Sequence, residues 1–244
     1  MGKLLVIIPT YNEIENIAPM VAAVLGQPLG AELLVVDDNS PDGTGTCVEQ
    51  LKAQYGGRLH LLSREGKQGL GTAYLAGFRW GLEHGFDTLC EMDADFSHDP
   101  KDLALLVEAC EQGADVAIGS RYKDGFRVKD WPLLRILISY CASIYVRMIT
   151  RMPICDTTAG FVCYRAPVLQ ALLALPIKMK GYGFQIEIKY LAFRLGYKLV
   201  EMPILFTDRQ KGNSKMSGGI FSEAFLGVIK LRWRARKIKR INRQ

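Results

Sequence analysis

The sequence predicts an α/β fold, a mostly parallel sheet with helices on both faces. Two patterns carry that expectation. Up to about residue 120 short apolar runs alternate with helix-like segments, and polar residues collect where the apolar runs end. Composition agrees, since 244 residues that are 49% hydrophobic and 23% charged can bury a substantial core. A disordered or collagen-like chain has no such make-up.

The strands are expected at residues 4–8, 32–36, 59–62, 88–92 and 116–118, each bounded by Gly, Pro, Asp or Ser. Helical patterns at 13–25, 42–54, 69–84 and 100–112 separate them. Parallel strands joined by such crossovers are covered on both faces, so they read as unbroken apolar runs. Past residue 120 the alternation weakens into an apolar helix at 133–150, a strand at 161–164, helices at 167–174 and 184–195, strands at 198–201 and 205–207, and a C-terminal helix. No repeat or Pro/Ser-rich linker marks a firm boundary.

The helix at 133–150 is apolar almost all round, but only 11 uncharged residues separate Arg135 from Arg147. A bilayer span needs roughly 18–20, so the expectation is a core helix or one lying in a membrane interface. The net charge of +6 is a tail effect: residues 230–244 hold eight basic residues and no acid, leaving 23 basic against 25 acidic residues elsewhere. Ahead of the tail, Phe221, Ala224, Phe225, Val228 and Ile229 recur at the spacing of one helix face. An apolar-faced helix running into Lys and Arg suits an anionic membrane surface, the alternative being a solvated terminus. The opening apolar run, which stops at Pro9, is expected as a strand of the fold and not as a secretory leader. Its six cysteines, without a CxxC pair, are expected as buried thiols in a reducing compartment.

In a parallel sheet ligands bind at the carboxyl ends of the strands. There the sequence places Pro9 to Glu13, then Asp37-Asp38-Asn39-Ser40, then Asp93-Ala94-Asp95. Two carboxylates one residue apart repel unless a cation or hydrogen-bond donors hold them. Mg²⁺ takes such oxygen ligands together with substrate phosphates, although DxD also occurs in turns and caps. Downstream, Arg121, Arg135, Arg209 and Lys215 offer guanidinium and ammonium groups for phosphates, the last two bracketing a flexible Gly/Asn/Ser stretch.

The runs Leu5 to Glu13, Val35 to Thr44, Lys67 to Gly71, Met92 to His98, Gly119 to Tyr122 and Arg209 to Lys215, taken in order, resemble the inverting family 2 glycosyltransferases, and among them the polyprenol-phosphate (dolichol-phosphate) mannose synthases. The resemblance implies a Rossmann-like GT-A catalytic domain over residues 1–217, followed by an amphipathic basic membrane-surface helix and tail over 218–244. It implies transfer of mannose from GDP-mannose to a polyprenyl or dolichyl phosphate with Mg²⁺ or Mn²⁺, at the cytoplasmic face of a membrane, by a peripheral form without C-terminal spans. Pro9, Tyr11, Glu13, Val36 and Asp38 would meet the guanosine. Asp93, Ala94 and Asp95 would meet metal and diphosphate, Ser97 standing where some relatives carry a further metal ligand. Arg121, Arg135, Arg209 and Lys215 would meet phosphates. Asp95, Arg121, Arg209 and Lys215 are the expected catalytic set.

A lipid phosphate is already an anionic nucleophile, so no strong base is required; Glu187 could stand in as one for a hydroxyl acceptor. The alternatives are the same chemistry with another hexose donor such as UDP-glucose, transfer to a hydroxyl, or an inactive sugar-nucleotide binding module. Nucleic acid is not an expected partner, because the tail lacks interleaved aromatics beyond Trp233 and the acidic rim repels a polyanion. The residues leave open a separate membrane subunit.

Overall fold

The structure is a computed structural model describing residues 2–179, 181–208, 219–238 and 240. Its strands are β1 (Leu4–Thr10), β2 (Glu32–Asp37), β3 (Leu59–Ser63), β4 (Thr88–Glu91), β5 (Val116–Ser120), β6 (Val128–Lys129), β7 (Val162–Arg165), β8 (Leu199–Pro203) and β9 (Phe206–Thr207). Seven of them form one sheet in the order β3-β2-β1-β4-β7-β5-β8, and β6 pairs with β9 apart from it. Only β7 runs antiparallel to its neighbours, so β1, β2, β4, β5 and β8 point their carboxyl ends to one edge.

Successive residues of a strand face opposite sides, and β1 divides its apolar run accordingly. Leu5 and Ile7 enter one core with α3 (Leu70–Glu83), α6 (Ala166–Leu173) and α7 (Gly181–Leu195); Leu4, Val6 and Ile8 enter the other with α1 (Ile14–Leu25) and α4 (Leu103–Glu111). A fully buried side chain such as Ile7 contributes about 1.5–3 kcal/mol. The helix α2 (Thr44–Leu51) adds Val48 to the second core.

The helix α5 (Leu133–Thr150) is long and apolar enough to cross a membrane by length and composition, yet it belongs to this fold through one narrow face, Ser143, Val146 and Thr150. It is therefore no core helix: Leu133, Leu134, Leu137, Ile138 and Met148 are exposed.

The last helix, α8 (Gly219–Ala235), packs Val228, Leu231 and Ala235 into the first core. Of the apolar face expected there, Val228 is buried in that core and Ile229 half-buried, while Phe221, Ala224 and Phe225 have side chains outside the described residues. Leu226, Lys230, Trp233 and Lys237 point outward. The expected set of six buried thiols is corrected as well. Because β7 inserts antiparallel beside β4, Cys90 and Cys163 become register partners and form a disulfide. Of the four free cysteines Cys110 is buried and Cys141 is exposed.

Candidate active site

At the carboxyl ends of β1 and β2, Pro9 and Val36 are register partners, and Thr10 lies opposite Asp37. The Asp37 carboxylate accepts from the Thr10 and Ser40 hydroxyls and from the Ser40 N–H, which locks the two strand ends together. Asp38 accepts from Arg64 Nε at 2.6 Å, and Arg64 reaches on to Thr72 of α3. The Lys67 ammonium lies 5.0 Å from the centre of the half-buried Tyr11 ring. Glu13 accepts from Asn16, and its own N–H donates to Thr44. The five residues assigned to the guanosine are thus neighbours on one half of the rim. Each of the three polar strand ends also contains a left-handed residue, Asn12, Asn39 and Phe96, a conformation that is uncommon for an aromatic residue and found at functional turns.

The other half of the rim is a cavity of about 740 Å³. Asp93, Asp95, Ser97, Arg121 and Arg135 line its polar end. The Asp93 side chain is 39% exposed, while Asp95 is buried and accepts from both the Ser97 hydroxyl, at 2.6 Å, and the Ser97 N–H. Ser97 thereby fixes the orientation of Asp95. Ala94 between them is buried in the second core.

Arg121 is clamped by a residue that sequence reasoning did not single out. Asp156, wholly buried, accepts from Arg121 Nε at 2.7 Å and Nη2 at 2.6 Å as well as from its backbone N–H. Burial pushes the Asp156 carboxyl up, and the guanidinium more than offsets it, leaving the group below its ordinary range. The loop presenting Asp156 is held in turn by Glu201, which accepts from the Cys155 and Asp156 N–H groups. The rings of Tyr122, Trp131 and Phe206 surround the Arg121 guanidinium at 5.3–5.5 Å. Arg135 stacks 4.0 Å from the Trp131 ring centre and donates to both oxygens of Asp208. Both arginines therefore reach the cavity wall with counter-charges behind them. Arg209 and Lys215 lie outside the described residues.

His98, at the end of the Met92 to His98 run, is buried between the rings of Phe161 and Phe206, and burial lowers it to about 4, so it is neutral at pH 7. Glu187, a stand-in base by sequence, is buried away from the cavity, where it accepts from the Lys178 and Met179 N–H groups and pairs with Arg234 of α8. Behind the DxD turn is a buried polar cluster: Gln185 donates to Glu91, and Lys189 donates to Gln185 and to the Ala159 carbonyl. Burial raises Glu91 to about 8, partly offset by Lys189, and lowers Lys189 to about 8.

From this polar end the cavity continues along α5, past Leu134, Ile138, Ala142, Tyr145 and Val146, to Val228 of α8. Leu134 and Ile138 are 67% and 46% exposed, so the apolar wall opens directly onto the surface. One space joins carboxylates and guanidiniums to a greasy trough.

Residues 5–173 match the family described as Glycosyl transferase family 2. The chain is 46% identical over 226 residues to the polyprenol monophosphomannose synthase of Mycolicibacterium smegmatis, covering 93% of this chain and 85% of that one. It is also 46% identical over 231 residues to the undecaprenyl-phosphate mannosyltransferase of Micrococcus luteus, covering 95% and 93%. In three dimensions it is similar to glucosyl-3-phosphoglycerate synthase from Mycobacterium tuberculosis, crystallised with Mn²⁺, UDP and glucosyl-3-phosphoglycerate, with TM-score 0.67 at 17% identity over 96% of this chain and 80% of that one. That likeness concerns the fold, and it is the GT-A arrangement expected from the motifs. A strand-end DxD on such a sheet and a family match over most of the chain lead to one assignment: the chain belongs to glycosyl transferase family 2 and is a glycosyltransferase.

Proposed function

We propose that the enzyme transfers mannose from GDP-mannose to a polyprenyl (dolichyl-type) phosphate, with inversion at the anomeric carbon. The observation that carries this reading is the two-part cavity, whose charged end suits phosphates and whose apolar wall along α5 suits a hydrocarbon chain. The names of the two bacterial relatives support the sugar and the acceptor class. The motif resemblance supplies the guanosine, with Pro9, Tyr11, Glu13, Val36 and Asp38 as its contacts and Asp93, Ala94 and Asp95 at the diphosphate.

Asp93 and Asp95 fit Mg²⁺ or Mn²⁺, because both are hard oxygen donors at one strand end and Asp95 is already oriented by Ser97. Donor phosphates and the Ser97 hydroxyl would complete the ligands of such a cation. Such a cation, when bound, supplies neutralisation of the charge that builds on the departing diphosphate.

Arg121 and Arg135, held by Asp156 and Asp208, direct their guanidiniums at the same charge. The motif resemblance assigns further phosphate contacts to Arg209 and Lys215, so Lys215→Ala should cripple turnover. Among the described residues the acids lining the cavity are Asp93, Asp95 and Asp208, the last paired with Arg135. With the first two assigned to the metal, none is left to act as a base, which suits an acceptor phosphate that attacks as an anion and disfavours a hydroxyl acceptor.

A peripheral position at the cytoplasmic face of an anionic membrane belongs to the same proposal, supported by the apolar trough along α5 and by outward Lys230 of α8. The deciding experiment incubates the enzyme with polyprenyl phosphate, Mg²⁺ and a panel of GDP- and UDP-hexoses. Lipid product from GDP-mannose well above all others is expected; preference for UDP-glucose would replace the sugar and keep the chemistry.

A further inference from the structure

A second cavity, of about 500 Å³, lies at the C-terminal ends of α5, α7 and α8. Its walls include Arg151, Arg194, Arg232 and Arg240 and, among the described residues, no acidic one. Among the described residues none of the four is ion-paired with a carboxylate. The negative ends of the helix dipoles account for one cation apiece: Arg232 Nη1 donates to the Ile149 carbonyl at 2.6 Å, and Arg194 Nη2 to the Ile238 carbonyl at 3.4 Å. They do not account for four guanidiniums around one space, which repel each other.

Three further details point to a built pocket. Arg194 Nε is buried with no hydrogen-bond partner. Arg151 takes a left-handed conformation, φ +58°, just past the end of α5, where glycine or asparagine is the ordinary choice and an arginine is strained. The Arg240 stem lies against Gly196, where an added Cβ would sit 3.6 Å from Arg240 Cγ. The charged end of the transfer cavity is remote, since Arg135 and Thr150 lie about 22 Å apart along α5 at 1.5 Å per residue, so one diphosphate cannot bridge both; only the apolar end of that cavity, at Val146 and Val228, comes within a turn of Thr150 and Arg232.

We propose that this pocket is a second binding site, for a phosphate group, held by Arg151, Arg194, Arg232 and Arg240. Guanidinium forks match phosphate oxygens in geometry as well as charge. The phosphate belongs either to an anionic lipid headgroup or to a soluble ligand. Met148, two residues before Thr150, and Trp233, next to Arg232, are 68% and 64% exposed and offer apolar contacts to a headgroup.

The test compares the full chain with the double variant Arg151→Asn/Arg240→Gln. Asparagine suits the left-handed position, both side chains are exposed, and an unchanged melting temperature verifies the fold. A second variant, Arg151→Lys/Arg240→Lys, keeps the charge. Calorimetric titration uses inorganic phosphate at constant ionic strength, and sedimentation uses phosphatidylcholine vesicles with and without phosphatidylglycerol. The difference between chains isolates this pocket from the transfer cavity. Phosphate affinity of the first variant should fall at least about tenfold, the loss expected for two charge-assisted contacts, with the lysine variant closer to wild type. A parallel fall in binding to phosphatidylglycerol vesicles assigns the phosphate to a lipid, and a fall for inorganic phosphate alone assigns it to a soluble ligand. Equal behaviour of wild type and Arg151→Asn/Arg240→Gln toward both probes overturns the site.

Discussion

Individual residues at the cavity act through partners that lie far away in the chain. Arg121 is legible as a phosphate contact from its place after β5, but what holds it is Asp156, 35 residues on. Removing one partner of a buried pair strands the other charge, so Asp156→Ala should cost about 3–5 kcal/mol in urea unfolding at pH 7. A loss below about 1 kcal/mol would mean that the pair is replaceable by water. The pH dependence has a definite sign. The native Asp156 carboxyl titrates below its unfolded value, so the pair's contribution is fully present above about pH 4 and shrinks as pH falls through the depressed native value. The margin of wild type over the alanine variant should narrow on that acid limb. The DxD carboxylates, the strand-end acids and the arginines were all readable from residue type and position. Asp156, Asp208, Arg64 and the Glu91–Gln185–Lys189 cluster were not, because nothing local distinguishes a buried counter-charge from a surface one.

Helices set the shape of the cavity by how closely they approach one another. At the start of α3 a Cβ on Gly71 would meet Phe184 Cγ at 2.8 Å and Cβ at 2.9 Å, so α7 packs where only glycine leaves room. Gly71→Ala should destabilise by about 1–3 kcal/mol through overpacking, read as a lower denaturant midpoint at unchanged slope. Glu187 ties α8 to α7 through Arg234 while also holding the N–H groups of Lys178 and Met179. Its substitution by glutamine should cost about 1.5–3 kcal/mol, the value of hydrogen bonds to a charged group, with kcat nearly unchanged well below the melting temperature. A collapse of kcat with full stability would return Glu187 to the role of base. The period-3.6 pattern revealed that both helices exist. That α8 turns Val228 and Leu231 into the core rather than to a membrane was not legible, because its contacts come from α7 and α5, far away in sequence.

For the molecule as a whole, the exposed apolar side of α5 lies beside the mouth of the cavity. Leu133 and Leu137, 71% and 48% exposed, lie on α5 without lining the cavity. Changing both to serine should therefore lower transfer to polyprenyl phosphate embedded in vesicles several-fold while sparing a short, detergent-dispersed prenyl phosphate. Equal loss with both acceptors would place these leucines in folding rather than in docking. Simple truncation of residues 230–244 is a poor probe of membrane binding, since it removes buried Leu231 and Ala235 along with the basic residues. Outward Lys230 and Lys237 are the positions to neutralise.

By itself the sequence determined the strand and helix order apart from the short β6, and the carboxylates and arginines that gather at one edge of the sheet. Those are matters of local periodicity and of residue type at strand ends, which a linear reading registers. The tertiary structure alone decided that β7 inserts antiparallel between β4 and β5, bringing Cys90 to Cys163, that Asp156 and Asp208 stand behind the arginines, and that α5 exposes its leucines beside the cavity. Each depends on contacts between segments distant in sequence, and such contacts are selected by the packing free energy of the whole core.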